Sequence, residues 1–169
     1  MPKKVLHVPS YTYDPTQVIP GIDIVNEFDA AINGDWAPAA IANKDSKRRV
    51  GYGGVGKGYT PIDLDLAVFL TKDKVMAQKT GVAGTTCTYH APLVVAHIAE
   101  YAHQNGGGRP AVGVVTAILI NGHRRHNVAF VRTTDDGIWI LDTAYARADD
   151  EDRWLYRPEL GTGYYHLEM

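Results

Sequence analysis

The stretch HNVAFVRTTDDGIWILD, residues 126–142, decides how this chain folds. Residues 127–132 alternate in character and residues 138–141 form a short apolar run, and these patterns predict two β-strands. Between them, the dipeptide Asp136-Gly137 is typical of a tight turn, because glycine adopts the backbone angles that hairpin turns need. We therefore predict an antiparallel hairpin.

The hairpin would bring together two side chains that carry chemistry. His126 opens its first strand and Asp142 closes its second. The start of the first strand lies beside the end of the second, so we expect His126 and Asp142 to be cross-strand neighbours. At that separation a carboxylate can orient an imidazole.

Outside the hairpin, apolar residues at helical spacing predict three helices, and short apolar or β-branched runs predict further strands. The helices span residues 21–33, residues 61 to about 80, and Cys87 or Tyr89 to His103; the strands span residues 4–8, 111–120 and 164–167. Helices packed on an antiparallel sheet give the α+β class.

The composition is that of an ordinary globular chain. Of its 169 residues 45% are hydrophobic and 21% are charged, and this length suits one domain. Seventeen basic and nineteen acidic side chains leave a net charge of -2, which gives no electrostatic reason to expect nucleic acid. The single cysteine excludes an internal disulfide.

The sequence begins without an apolar run of signal-peptide length, and nothing in it approaches the eighteen-odd apolar residues of a membrane helix. We expect no membrane insertion, and a protein that is cytoplasmic or secreted without a cleavable signal peptide. Residues 51–58 are rich in glycine: residues 51–56 match the dinucleotide pattern GxGxxG, and residues 51–57 come within one residue of a phosphate loop. A charged linker precedes them, however, and the next helix does not follow directly. We interpret them as a surface loop bordering a cleft.

Cys87 lies at or just before the start of the third predicted helix. Unpaired N–H groups at a helix N-terminus carry partial positive charge, which lowers the pKa of a thiol and favours the nucleophilic thiolate. Such a nucleophile needs a general base and an orienting group, and His126 and Asp142 are the candidates. Pro92 removes a backbone hydrogen bond five residues after Cys87, so the helix either begins near Tyr89 or is kinked.

A cysteine at the head of a helix, followed by His-x-V-x-F-V and Gly-x-W-x-L-Asp, resembles the transglutaminase-like superfamily of papain-fold cysteine enzymes. His126 follows Cys87 by 39 positions (126 − 87) and Asp142 follows His126 by 16, spacings that are similar to that family. The resemblance covers roughly residues 62–145. It implies a papain-like core. We expect one domain, residues 1–169, made of an irregular part that lines the cleft, a catalytic core and a C-terminal extension. These three parts are residues 1–60, 61–146 and 147–169.

The resemblance implies a cysteine-dependent amide hydrolase (a peptidase, amidase or glutamine deamidase) with Cys87, His126 and Asp142 as its catalytic triad and a thioester intermediate. An amine in place of water would make it a transamidating transglutaminase. A non-catalytic binding domain on the same fold stays open, as does a metal-dependent hydrolase built on the seven histidines. The triad itself needs no cofactor and no metal.

The implied substrate is a peptide or protein amide. A compact hydrolase of this kind also suits a bacterial effector or toxin, which leaves room for an inhibitor or immunity partner. The backbone N–H of Cys87 is the expected first donor to an oxyanion. The second donor stays open among Gln78, Tyr89 and an aromatic residue of the N-terminal half such as Tyr11, Tyr13 or Trp36. His90, one helical turn after Cys87, could face the same cleft.

Overall fold

The computed structural model describes residues 11, 13–36, 56–76, 87–119, 124–143, 154–160 and 162–169, so the strand predicted at residues 4–8 lies outside it. The helices are α1 (Gly21–Ala31), α2 (Leu64–Leu70), which a π-helical segment (Thr71–Met76) continues, and α3 (Cys87–Gln104). The strands are β1 (Ile19–Pro20), β2 (Gly58–Tyr59), β3 (Val112–Leu119), β4 (Arg124–Thr133), β5 (Gly137–Leu141), β6 (Leu155–Tyr156) and β7 (Tyr164–Glu168). A 3₁₀ turn (Pro15–Gln17) precedes β1. Within these ranges, every helix is too short or too polar to cross a bilayer.

Helix α1 forms where the sequence predicts it, because three of its four large apolar side chains share one face, while the fourth, Ile22, is 43% exposed. Ile24, Val25 and Phe28 are buried, while the other side of the helix is exposed. Just beyond the helix, Asn33 and Gly34 adopt left-handed backbone angles, with φ of 57° and 69°. Glycine takes this conformation without steric cost, so the chain turns here, and the helix ends at Ala31, two residues before the predicted end at residue 33.

Helix α2 begins at Leu64, later than the predicted start at Pro61. The Asp63 carboxylate accepts hydrogen bonds from the backbone N–H groups of the second and third helical residues, so Asp63 is the N-cap and not part of the first turn. The chain ahead of this cap is extended, since Ile62 forms a bridge with Thr133 of β4.

Five strands form one antiparallel sheet in the order β6-β5-β4-β3-β7, and β1 pairs separately with β2. The predicted hairpin consists of β4 and β5, and the predicted edge strand is β7. Thr133 pairs with Gly137, so the hairpin has a three-residue loop, 134–136, instead of a tight turn at Asp136-Gly137. Gly137 has a φ of 68°, the left-handed conformation that ends such a loop.

Apolar side chains cover both faces of the sheet, and alternation along each strand decides which helix they meet. Ala129 and Val131 pack with α2 and α3, whereas Val128 and Phe130 pack with α1. Phe28 of α1 meets Phe130 edge-to-face at a ring-centroid distance of 5.9 Å, a contact worth about 0.5–1.5 kcal/mol beyond burial. The α+β prediction is therefore confirmed, with helices on both faces of an antiparallel sheet.

Strand β4 extends beyond its neighbour β5, which leaves one side of β4 open. Its pairing with β3 continues to its first residue, Arg124, but its pairing with β5 ends at Ala129 opposite Leu141. The residue after β5, Asp142, donates its backbone N–H to the carbonyl of Trp154 at 2.7 Å. The chain leaving β5 thus follows β6, and a gap opens beside the first residues of β4.

Candidate active site

The first residue of α3, Cys87, lies against the open side of β4. The backbone N–H of Arg132 donates to the carbonyl of Ala111, next to β3. Because N–H groups alternate in direction along a strand, the N–H of Asn127 points the other way, into the gap that β5 leaves. There it hydrogen bonds with the Cys87 thiol. Because β5 separates from β4 here, the gap has room for the Cys87 sulfur, and the backbone N–H of Asn127 can donate to it.

His126 and Asp142 meet in this gap, so the predicted contact is present. The His126 Nε2 and Asp142 Oδ2 atoms are 2.7 Å apart. Continuing the observed register places Asp142 opposite Val128, so His126 is its diagonal neighbour and not its direct cross-strand partner. His126 also hydrogen bonds with Cys87. Because Nε2 faces the carboxylate, Nδ1 is the nitrogen that remains for the thiol.

Opposing effects act on the pKa of the Cys87 thiol, and the net result is a lowered pKa. Burial raises the pKa, because a thiolate loses solvation there. Hydrogen bonds from the Asn127 backbone N–H, from His126 and from Thr88, together with the charge of His126, outweigh burial. The site therefore favours the thiolate, which is the nucleophilic form.

The imidazole of His126 shows the complementary behaviour. Burial lowers its pKa, since the side chain is only 7% exposed and the imidazolium loses solvation. The hydrogen bond and negative charge of Asp142 raise it, Cys87 adds to this effect, and the net pKa is raised. The thiol pKa moves down and the imidazole pKa moves up, so both shifts favour a thiolate–imidazolium pair.

Asp142 has a second partner that the sequence did not predict. The Tyr156 hydroxyl donates to the same oxygen, Oδ2, at 3.3 Å. Burial raises the pKa of Tyr156 and the charge of Asp142 raises it further, so the phenol stays protonated and remains a donor. Tyr156 belongs to β6, where it pairs with Ile140. The signal for this strand is the Trp-Leu-Tyr triplet at residues 154–156.

Helix α3 begins at Cys87 and continues through Pro92, so the alternative start near Tyr89 is wrong. Because proline has no N–H, the carbonyl of Thr88 lacks its helical donor. His90 follows Cys87 by one turn, and it is 3% exposed, on the buried side of the helix. The thiol and this histidine therefore both lie on the face that α3 turns toward the sheet.

Among the described residues, the partners of the thiol are Asn127, His126 and Thr88, and they include neither Tyr89 nor Trp36. Tyr89 is 57% exposed and follows Cys87 by two residues, a spacing that places side chains on different sides of a helix. Trp36 donates its indole N–H to Asp29 at 2.5 Å, so that donor is already engaged. Gln78 lies outside the described residues. The backbone N–H of Cys87 remains a candidate, because first-turn N–H groups have no intrahelical partner.

Two other kinds of site come from the sequence, a phosphate-binding loop and a metal centre. The described end of the glycine-rich segment leads into strand β2, where a phosphate loop needs a helix N-terminus. A side chain at Gly58 would collide with Val18, so strand packing accounts for this glycine. Among the described residues, no three His, Cys, Asp or Glu side chains are grouped as metal ligands.

A groove of about 400 Å³ lies at the amino-terminal end of α3, where its lining includes neighbours of the thiol. Two of its residues flank Cys87 directly: Thr88 follows it in the chain, and Asn127 supplies the backbone N–H that binds the sulfur. We call this feature the polar groove; it is lined by Thr88, Thr116, Asn127, Tyr165 and His166. The polar groove is therefore the described cavity that shares residues with the surroundings of the thiol.

No family model and no curated protein matches the sequence. Among solved structures, a PSL1a-E64 complex is similar to this chain, with a TM-score of 0.57 and 12% sequence identity. The similarity covers 90% of this chain and 51% of that chain, so the chain spans about half the length of this structural neighbour. At this identity the likeness concerns the fold alone, and the chain is an α+β protein that shares the neighbour's arrangement of helices and strands.

Proposed function

We propose that this chain is a cysteine-dependent amide hydrolase with a papain-like, transglutaminase-like core. Cys87 is the nucleophile, His126 the general acid and base, and Asp142 the group that orients the imidazole. One observation carries the proposal: thiol, imidazole and carboxylate form a continuous series of contacts at the N-terminus of a helix. A cysteine that served only as a buried apolar residue would need neither the His126–Asp142 pair nor a lowered pKa.

In the first half of the reaction, the Cys87 thiolate attacks the carbonyl carbon of an amide. A C–S bond forms while the carbonyl π electrons move to oxygen, and the backbone N–H of Cys87 donates to that oxyanion. The His126 imidazolium then gives its proton to the amide nitrogen, the C–N bond breaks, and an amine and a thioester result. Asp142 orients the imidazole and stabilises its protonated form.

In the second half, neutral His126 takes a proton from water while the water oxygen attacks the thioester carbon. The C–S bond breaks, and the thiolate and the imidazolium are restored. One amide and one water become one carboxylic acid and one amine. We favour hydrolysis over transamidation because water is always available, whereas an acceptor amine has to be bound.

A panel of peptide amides, including glutamine-containing peptides, tests this function with wild type and Cys87→Ala. Mass spectrometry of the products separates backbone cleavage from side-chain deamidation. We expect the wild type to turn over at least one substrate and to carry an acyl adduct on Cys87, and we expect Cys87→Ala to do neither. Turnover that survives Cys87→Ala and disappears with a chelator would replace this proposal with the metal-dependent hydrolase.

The binding-domain alternative makes a different prediction for the thiol. A cysteine without catalytic activation reacts with iodoacetamide no faster than the same cysteine in an unfolded peptide. Because the structural neighbour is a complex with E64, E64 offers a further probe of this site. If E64 occupies the proposed active site, preincubation with it should slow the labelling of Cys87 by iodoacetamide.

A further inference from the structure

The floor of the polar groove is a row of polar side chains across three strands. Thr116 of β3 pairs with Asn127 of β4 on one side and with His166 of β7 on the other. Alternation places this row on the same sheet face as Ala129, which packs with α3. The row therefore continues the face that α3 covers, just past the helix end where Thr88 lines the groove.

An irregularity in β7 adds a fifth side chain to this lining. Thr116 pairs with His166 but Ala117 pairs with Tyr164, so Tyr165 is the extra residue of a β-bulge. Successive side chains of a regular strand lie on opposite faces. The bulge explains how the consecutive residues Tyr165 and His166 both line one groove. Bulges re-aim side chains in this way beside active sites.

The chemistry of this lining is hydrogen-bonding and nearly uncharged. It offers two threonine hydroxyls, a carboxamide, a phenol and an imidazole, and none of these lining residues is Asp, Glu, Lys or Arg. Thr116 and Tyr165 are 9% and 8% exposed, so the floor is largely removed from water. A charged substrate group would meet no Asp, Glu, Lys or Arg in this lining, and the imidazole of His166 already lies 3.7 Å from the Glu168 carboxylate. An apolar group would leave donors and acceptors unpaired.

We propose that the polar groove recognises an uncharged, hydrogen-bonding side chain next to the scissile amide, and that Asn127 determines this specificity. A primary carboxamide, as in glutamine, is the group we expect, because its paired donor and acceptor complement those of the Asn127 carboxamide. The inference rests on the proposed function, since it names a substrate class for the same thiol. The backbone N–H of Asn127 serves the thiol, so its side chain and its backbone have separate roles.

Four acyl-amino-acid chloromethyl ketones that differ only in their side chain (glutamine, glutamate, lysine or norleucine) test this proposal. The Cys87 thiolate displaces chloride and forms a thioether, which mass spectrometry follows with time. We expect the glutamine probe to react fastest, by about tenfold or more, because the other side chains leave groove polar groups unpaired. Asn127→Ala should abolish this preference, so that the four probes react at rates similar to one another. Asn26→Ala, an exposed asparagine of α1, should keep the preference.

The outcomes separate this inference from the proposed function. Equal rates for the four probes, with fast iodoacetamide labelling, would overturn the groove proposal and leave the hydrolase intact. Slow iodoacetamide labelling of the wild type would overturn both. An equal loss with all four probes in Asn127→Ala would assign Asn127 to the oxyanion instead of to side-chain recognition. If Asn127→Ala does not fold, Thr116→Val is the second test. This change removes a floor hydroxyl with little change in shape, and it should weaken the glutamine preference.

Discussion

The two ends of the β4–β5 hairpin are built in opposite ways. At the turn end, the Thr133 hydroxyl donates to the Gly137 carbonyl at 3.0 Å and accepts from the Asp136 N–H at 3.2 Å. At the open end, pairing stops at Ala129 and Leu141 while β4 continues. The polar groups at the turn end therefore hydrogen bond with one another, whereas the backbone N–H groups at the open end of β4 are available to another element.

This difference indicates how a β-sheet can provide space and hydrogen-bond donors for a side chain from another element. Two strands that part expose backbone N–H groups on their facing edges, and those groups need a partner. Here the partner of the Asn127 N–H is the Cys87 thiol, brought by α3, and the side chains at the same place are an imidazole and a carboxylate. Substitutions at the open end should therefore change reactivity, and substitutions at the turn end should change stability.

The largest effect is expected from removing the groups at the open end. Cys87→Ala and His126→Ala should each lower amide turnover by about 10³-fold or more while the circular dichroism spectrum stays that of wild type. The control is His103→Ala, an exposed histidine near the end of α3, which should keep full activity. Wild-type turnover in His126→Ala would remove the imidazole from the mechanism.

Asp142→Asn should have a smaller effect. The carboxamide keeps the size of the side chain and one oxygen acceptor, but it lacks the charge that raises the pKa of His126. We expect the loss of turnover to be roughly 10–100-fold smaller than that in His126→Ala, because removing the orienting group costs less than removing the base. Iodoacetamide labelling should also slow. A loss equal to that of His126→Ala would show that Asp142 does more than orient and stabilise the imidazole.

At the turn end, Gly137→Ala should reduce stability without changing the thiol. The φ of 68° at this residue is costly for any residue with a Cβ atom, so the free energy of unfolding should fall by about 1–2 kcal/mol. Urea denaturation measures this loss, and the iodoacetamide rate below the transition should match wild type. A slower rate in the folded variant would mean that the two ends are not independent.

The smallest effect is expected for Tyr156→Phe. This change removes one hydrogen bond to the Asp142 Oδ2 atom, 3.3 Å long, and keeps the aromatic ring in β6. Labelling of Cys87 should slow by only about two- to threefold, in keeping with the small net value of a single hydrogen bond. Tyr13→Phe, an exposed tyrosine, is the matched control and should have no effect. An unchanged rate in Tyr156→Phe would limit Tyr156 to packing.

The parts of the fold that the sequence predicts are those decided within one element or one turn. Helix α1, the β4–β5 hairpin and the edge strand β7 each follow from a local pattern. The two-residue strand β6 is too short to show periodicity, and the start of α2 depends on capping by Asp63. The contact between His126 and Asp142 was predictable because a hairpin brings its own two ends together.

The remaining contributors to the site depend on contacts between elements. Asn127 looks like an ordinary strand residue until β5 parts from β4 and frees its N–H. Tyr165 enters the polar groove only through a bulge, and a bulge is set by pairing across strands and not by its own sequence. Tyr156 reaches Asp142 from β6, which lies next to β5. Periodicity within a single element predicts none of these placements.

The pH dependence of Cys87 alkylation by iodoacetamide tests the central pairing of thiol and imidazole most directly. The thiolate is the reacting form, and its fraction rises as pH increases through the thiol pKa. Because the Asn127 N–H and His126 lower that pKa, we expect the half-maximal rate below the ordinary cysteine value of about 8.5. In His126→Ala the thiol pKa should rise and the profile should move to higher pH, because burial raises that pKa and only the contacts with Asn127 and Thr88 then oppose it. Identical profiles for wild type, His126→Ala and an unfolded peptide containing Cys87 would contradict the account.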